Sequence, residues 1–351
     1  MTEATATDRT EWLKQRRTGV GGSDVAAILG INPYRTPLDI YREKTTEITE
    51  DRAPSEAAYW GTTLEDIVAQ EFSRRTGLKV QRVNQSLASN LDRYIDVTGS
   101  DVYQWARANI DRAVINPKIA KTVRLSKPAT PCSGRGLMLT TDAILECKTA
   151  NARMSPEWGA SQEAEILAGD VTSEHEIPIY YETQIQWYMA ITGANICYVA
   201  VLIGGQDFRM YAVKRNEEVI QAIATKCFDF WKNNVKAGVP PAPTTVEDVK
   251  KLFPTDSGEM AEATNDEAVL IGEYRNLKEQ ISELESQQKA VASKLICSIG
   301  DRTGLLIAGK KAATYKAQTA KRFSSADFKA ADPVTYAQFT KETTTRVLRI
   351  A

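Results

Sequence analysis

Leu145-Glu146-Cys147-Lys148 is the stretch whose reading decides the fold. It reads as a short buried strand whose alternate residues are charged. Strand side chains alternate between faces, so Glu146 and Lys148 point one way and Leu145 and Cys147 the other. An acid and a base side by side at a strand end are costly to bury unless something there uses them. The plain reading is an edge strand with a solvated face. The chemical reading is a metal-dependent phosphodiester-cleaving site. Glu146 would hold a divalent metal, and Lys148 would orient or deprotonate a water. That reading requires a further acid nearby.

Composition narrows the chemistry. The chain has 351 residues, enough for one large domain or two smaller ones. Hydrophobic content of 42% and charged content of 25% are ordinary for a globular protein. No apolar run is long enough to span a bilayer, and no signal-peptide pattern opens the chain, so a cytoplasmic protein is expected. Cys132, Cys147, Cys197, Cys227 and Cys297 are scattered and never form a C-x-x-C pair, which argues against disulfides, structural zinc and iron–sulfur clusters. His175 is the only histidine and reads as a solvated loop residue. Acid–base or metal chemistry must therefore come from Asp, Glu and Lys. The net charge is −1, so any nucleic acid would be held by local basic patches.

Working outward, residues 1–10 read as a disordered tail and 11–238 as the core. Arg16-Arg17-Thr18-Gly19-Val20-Gly21-Gly22-Ser23-Asp24 leads into an apolar run ending at Gly30. Ser23 would N-cap that short helix, and the glycine-rich turn with Arg17 would suit an anion. Gly61 to Thr76 reads as an amphipathic helix with the stripe Leu64, Ile67, Val68 and Phe72, and Glu65 at its edge. Three aspartates could supply the missing acid: Asp92 and Asp111, in near-duplicate Asn-apolar-Asp-Arg segments, and Asp142, which alternation puts on the face of Glu146 and Lys148. The stretch between Ala113 and Thr141 has no acid but carries Lys118, Lys121, Arg124, Lys127 and Arg135. It reads as a long basic loop or hairpin that could contact a nucleic-acid backbone.

Beyond Lys148, a helix is expected over Glu182 to Thr192, strands over Asn195 to Ile203 and Phe208 to Val213, and a helix over Glu217 to Val235. The order implies an α/β (α+β) core, a central mixed sheet flanked by helices. Residues 239–258, opening on Val239-Pro240-Pro241-Ala242-Pro243, read as a linker, and 259–351 as a long helical segment with a basic β tail. Leu270, Leu277, Leu284 and Val291 recur every seven residues, interleaved with Tyr274, Ile281 and Leu295, as in a coiled-coil seam. That seam is expected to pack within the subunit or against another copy. The tail from Arg302 has ten Lys or Arg against three acids and alternates as strands around Leu305-Leu306-Ile307 and Arg346-Val347-Leu348.

Five blocks in order carry a resemblance. They are Arg17-x-Gly19-x-Gly21-Gly22-Ser23-Asp24, Gly61-x-x-x-Glu65, Ala108-Asn109-Ile110-Asp111-Arg112, Leu145-Glu146-Cys147-Lys148-Thr149-Ala150, and Tyr180-Tyr181-x-x-Gln184-x-Gln186. Together they resemble the YqaJ-type viral recombinase family, which belongs with lambda-type exonuclease in the PD-(D/E)xK nuclease superfamily. The match runs from about Trp12 to about Trp231 and leaves the C-terminal third uncovered. The resemblance implies a restriction-endonuclease-like core and selects Asp111 over Asp92 and Asp142. It implies that Asp111 and Glu146 bind metal with the backbone carbonyl of Cys147, that Glu65 binds a second ion, that Lys148 positions the attacking water, and that Gln184 orients water or substrate. Arg17 and Ser23 would hold a terminal 5′ phosphate. The implied cofactor is Mg²⁺, or Mn²⁺ in its place, with two ions per site. Oxygen-only donors suit such hard cations. Here Asp111 is not preceded by proline, and the spacer to Glu146 is long.

The function this implies is a 5′→3′ exonuclease on linear double-stranded DNA. It would leave 3′ single strands for annealing-type recombination in a phage or prophage. A single-strand annealing protein as partner and a ring-shaped homotrimer come with the resemblance. Two alternatives stand beside it: an endonuclease of the same superfamily, including iron–sulfur types that the scattered cysteines count against, and a non-catalytic DNA-end-binding module. The intact set Asp111, Glu146, Lys148 and Glu65 argues against the latter.

Overall fold

The computed structural model describes residues 14–46, 55–96, 105–119, 121–123, 125–126, 138–139, 141–171, 176–342 and 344–350. The expected tail 1–10, Arg124, Cys132, His175 and most of the basic stretch before Thr141 lie outside them. In chain order, β1 (Val20–Gly21) leads into α1 (Gly22–Ile28), α2 (Pro37–Thr45) and α3 (Glu56–Thr76). Short strands follow: β2 (Val80–Arg82), β3 (Leu87–Ser89), β4 (Ala106–Ala108), β5 (Arg112–Val114), β6 (Leu125–Ser126) and β7 (Met138–Leu139). Next come β8 (Ala143–Ala150), α4 (Glu163–Ala168), α5 (Ile179–Thr192), β9 (Ile196–Ile203), β10 (Asp207–Lys214) and α6 (Glu217–Phe230). The chain ends with α7 (Val246–Leu252), α8 (Asn265–Ile299), β11 (Gly304–Ile307), β12 (Lys310–Thr314), α9 (Ser325–Ala331) and α10 (Pro333–Phe339). It divides into two compact units, Met1–Val249 and Lys250–Ala351. No helix of the described residues is long and apolar enough to cross a membrane.

The first unit is built on a five-stranded mixed sheet ordered β10-β9-β8-β5-β2. β8 runs parallel to β9 and antiparallel to β5, so it is an interior strand, not an edge. Its apolar start and the β-branched run of β9 suit a strand covered on both faces. Leu145 joins a core with Val68, Ala69 and Phe72 of α3 on one face. Ile144 joins the larger core on the other, with Ile185, Trp187 and Met189 of α5 and Ile223 and Phe228 of α6. Alternation then aims Glu146 and Lys148 at the α5 side. α5 is apolar nearly all round and accordingly buried from Thr183 to Met189. A second sheet, β1-β4-β3, lies in the same core through Val20, Ala106 and Leu87.

Several local expectations are corrected. Ser23 does not cap α1; Gly21 occupies the cap, and its N–H donates to the Asp24 carboxylate at 3.0 Å. α3 begins at Glu56, where Ser55 caps it, and Ile67 of the expected stripe is 55% exposed while Ala69 is buried. α7 folds inside the stretch read as a linker, because Asp248 is buried and accepts hydrogen bonds from Thr36 and from the backbone and side chain of Thr244. In the second unit, the partner of β11 is β12, and Arg346-Val347-Leu348 forms no strand; α9 and α10 occupy the tail instead. On α8, Leu270, Tyr274, Leu277, Ile281, Leu284, Val291 and Leu295 are all exposed.

Candidate active site

The site gathers where β8 pairs with the start of β5. Asp111 immediately precedes β5, and its Oδ2 accepts the Cys147 N–H at 2.8 Å. Glu146, buried on β8, accepts through Oε1 from Lys148 Nζ at 2.6 Å and from Gln184 Nε2 at 2.9 Å. Gln184 also accepts from Lys148 Nζ at 3.4 Å and donates to the Tyr188 hydroxyl at 2.9 Å. Tyr181, Gln184 and Tyr188 succeed one another along one face of α5, at the three- and four-residue spacing of a helix stripe. The other two aspartates stand elsewhere: Asp92 is exposed, and Asp142 accepts from Asn116 Nδ2.

The charges show what the site would take. Burial, then the nearby Glu146, pushes the Asp111 carboxyl well above the usual carboxylate range, against the pull of Lys148. Burial also raises Glu146, again opposed by Lys148. For Lys148, burial disfavours the ammonium, but Glu146 and Asp111 outweigh it and raise the pKa, so the group is held as a cation. Glu146 Oε2 is buried with no hydrogen-bond partner. Among the described residues, no three His, Cys, Asp or Glu side chains converge as a ready-made metal cluster. Two neighbouring carboxyls whose charge is disfavoured, one with an orphaned oxygen, nevertheless fit a hard divalent cation that keeps much of its water.

Glu65 reaches the site from α3 but is turned to Arg112, whose Nη1 donates to it at 2.6 Å. Arg112 is buried and also binds Asp66 and the Asp111 carbonyl, so it ties α3 to the strand that Asp111 precedes. Cys147 faces the opposite side of the sheet, and burial raises its thiol pKa.

A cavity adjoins these groups, lined by Arg16, Gly22, Ser23, Arg107, Asn109 and Tyr188 among others. Arg16, not Arg17, stands beside Ser23, with Nη2 to Oγ at 3.4 Å. Arg107 donates to Thr18 Oγ1 at 2.7 Å, while its Nε is buried without a hydrogen-bond partner, and burial alone lowers its pKa. Such a guanidinium suits an anion. A Cβ on Gly22 would lie 2.3 Å from the Tyr188 ring, so only glycine lets α1 approach α5 this closely. Beneath the cavity, buried Asp24 pairs with Lys44 Nζ at 2.7 Å and Arg16 Nη2 at 3.1 Å. Arg16, Arg107, Lys44 and Tyr188 carry no assignment from sequence. The clue to Arg107 was its position one residue before the block that contains Asp111. Lys118 and Lys121 are exposed on the chain leaving β5.

Comparison with known proteins gives the following. A sequence model of the YqaJ-like viral recombinase domain matches residues 11–195. Protein YqaJ of Bacillus subtilis is 32% identical over 342 residues, 95% of this chain and 92% of that protein. A protein of African swine fever virus is 41% identical over 56 residues, 16% of each chain. Among solved structures, LHK-Exo, an alkaline exonuclease from Laribacter hongkongensis, is 17% identical and covers 69% of this chain and 97% of its own, with a TM-score of 0.39. A phage-related exonuclease from Haemophilus somnus is 11% identical over 63% of this chain and 96% of its own, with a TM-score of 0.39.

Proposed function

The chain belongs to the YqaJ-like viral recombinase family, and from that premise we propose that it is a metal-dependent 5′→3′ exonuclease acting on the ends of linear double-stranded DNA. The observation that supports the reading is two chemistries side by side, an acid–lysine cluster and an arginine-lined cavity, linked through Tyr188. Asp111, at the start of β5, and Lys148, on β8, lie close to Glu146, and the cavity lined by Arg16, Ser23 and Arg107 is joined to them through Tyr188, which accepts from Gln184. Hydrolysis breaks the bond between phosphorus and the 3′ oxygen of the terminal nucleotide. Water supplies the new oxygen on phosphorus, and the leaving 3′ oxygen takes a proton. The strand that remains carries a new 5′ phosphate, the kind of group the cationic cavity suits.

Asp111 and Glu146 would hold Mg²⁺, or Mn²⁺, with the Cys147 carbonyl. When bound, the ion supplies charge neutralisation at the phosphate and lowers the pKa of water. Lys148, held as a cation, would orient the attacking water and face the charge that builds on the phosphate. Gln184 fixes Lys148 and Glu146 relative to one another. Glu65 would serve a second ion only by leaving Arg112. Arg16 takes the place expected for Arg17 at the 5′ phosphate, with Ser23 and Arg107. Lys118 and Lys121, with Arg124, would follow the duplex backbone. Production of 3′ single strands for annealing-type recombination, an annealing-protein partner and a trimeric ring complete the reading by family. Release of acid-soluble nucleotides from linear duplex DNA tests it. Release that needs Mg²⁺ and disappears in Asp111→Ala and Glu146→Ala is the expected result. Release that persists in either variant would contradict it.

A further inference from the structure

One feature beside the cleft is not used by that mechanism. Tyr34, in the turn between α1 and α2, is 70% exposed. Its ring meets Tyr180 edge-on, with centroids 6.4 Å apart. Tyr180 lies 4.5 Å from Tyr181, and Lys148 Nζ sits 4.9 Å from the Tyr181 ring centre. A line of three tyrosines thus runs from the surface to the reactive lysine. It is backed rather than loose: Trp158, itself buried, packs on Tyr181 at 5.5 Å. The turn below Tyr34 is fixed by Asn32 Oδ1, which accepts the N–H groups of Tyr34 and Arg35 at 2.8 and 3.1 Å. Arg35 then pairs with Glu43 and approaches Asp24 at 3.8 Å.

The outer ring is not explained by core packing. An aromatic face left in water gains little from folding, yet here it is the outer end of a ring-to-ring line that leads to Lys148. Every nucleobase has a π face, and stacking on tyrosine recognises unpaired bases without reading their sequence. We propose that Tyr34 and Tyr180 form a stacking platform for the bases of the DNA strand entering the site. Tyr181 is the inner end of that platform, beside Lys148. The ligand class is an unpaired nucleobase of any sequence. This rests on the nuclease reading above, because it needs a strand end at Lys148. The platform and the phosphate cavity would grip different parts of one strand: Tyr188 lines the cavity, Gln184 touches Glu146 and Tyr181 faces Lys148, so α5 spans both.

The test uses the full chain carrying Glu146→Ala, so that bound DNA is not cut. The probe is a linear duplex with 2-aminopurine at the 5′-terminal position, followed by fluorescence and by equilibrium binding. The expected result is a stacking-dependent fluorescence change on binding. Tyr34→Ala and Tyr180→Ala remove most of it and weaken binding of the end about tenfold. Tyr34→Phe restores both signals and Tyr34→Leu does not, a split that a merely structural role would not give. Unchanged fluorescence and affinity in both alanine variants, with wild-type protein cleaving normally, overturns the platform alone. No cleavage by wild type, with the tyrosine-dependent signal intact, overturns the nuclease reading and keeps the platform. No binding of DNA overturns both.

Discussion

Glu146 uses one carboxylate oxygen for Lys148 and Gln184 and leaves the other buried without a partner. The site is therefore held together by protein contacts but left short of positive charge. Removing the lysine removes the only protein cation that touches Glu146 among the described residues. Lys148→Met is expected to lower kcat by about 10²–10³-fold while leaving binding of the DNA end nearly unchanged, measured by single-turnover cleavage and by end binding. Asp24 gives a pH prediction. Burial works against its charge, but Lys44 and then Arg16 outweigh it and hold its pKa below the ordinary value. A depressed carboxylate stabilises the fold above its unfolded pKa, about 3.9, and loses that contribution as pH falls through the lower folded value. Asp24→Asn should cost about 3–5 kcal/mol at pH 7, because it removes the nearer carboxylate from buried Lys44 and leaves only Glu43, at 3.9 Å. The gap to wild type should narrow below about pH 4, as read by urea denaturation across pH. At this scale the sequence was partly legible. Alternation was enough to aim Glu146 and Lys148 together. The sequence pointed to Arg17 where Arg16 stands beside Ser23, because neighbouring residues share one composition and only the backbone turn before β1 decides which faces Ser23.

Elements place these residues, and one glycine contact decides whether they can. α1 and α5 touch at Gly22 and Tyr188 with no room for a methyl group. Gly22→Ala should destabilise the first unit by about 1–3 kcal/mol and displace Tyr188 from Gln184, lowering cleavage more than a matched surface substitution does. Thermal unfolding and cleavage rate on the same preparation would show it. β8 was readable as a strand but not as an interior one, since its neighbours come from 112–114 and 196–203, far away in sequence. The capping of α1 was misread for a related reason. Ser23 has the chemistry of a cap, but Asp24 reaches back to the Gly21 N–H and takes that role. β12 was missed because Lys310-Lys311-Ala312-Ala313-Thr314 lacks the apolar alternation of a strand, and it is made a strand by pairing with β11. The heptad stripe of α8 was plain from sequence, but the packing expected of it within the subunit is not seen, for its apolar residues are exposed.

At the scale of the whole molecule, a net charge of −1 would leave the proposed DNA binding to local cations. Arg107 is the clearest of these in the cavity. Arg107→Ala should reduce the slope of log affinity against log salt by about one and weaken end binding across all sequences, measured by titration at several salt concentrations. The measurement that bears most directly on the account uses linear duplex DNA labelled at either its 5′ or its 3′ end, with Mg²⁺ or EDTA, for wild type, Asp111→Ala and Glu146→Ala. The account predicts early release of the 5′-terminal mononucleotide while the 3′ label stays in long strands, dependent on Mg²⁺ and absent from both variants. Early release of the 3′ label, or cleavage that survives EDTA or loss of either carboxylate, would contradict it.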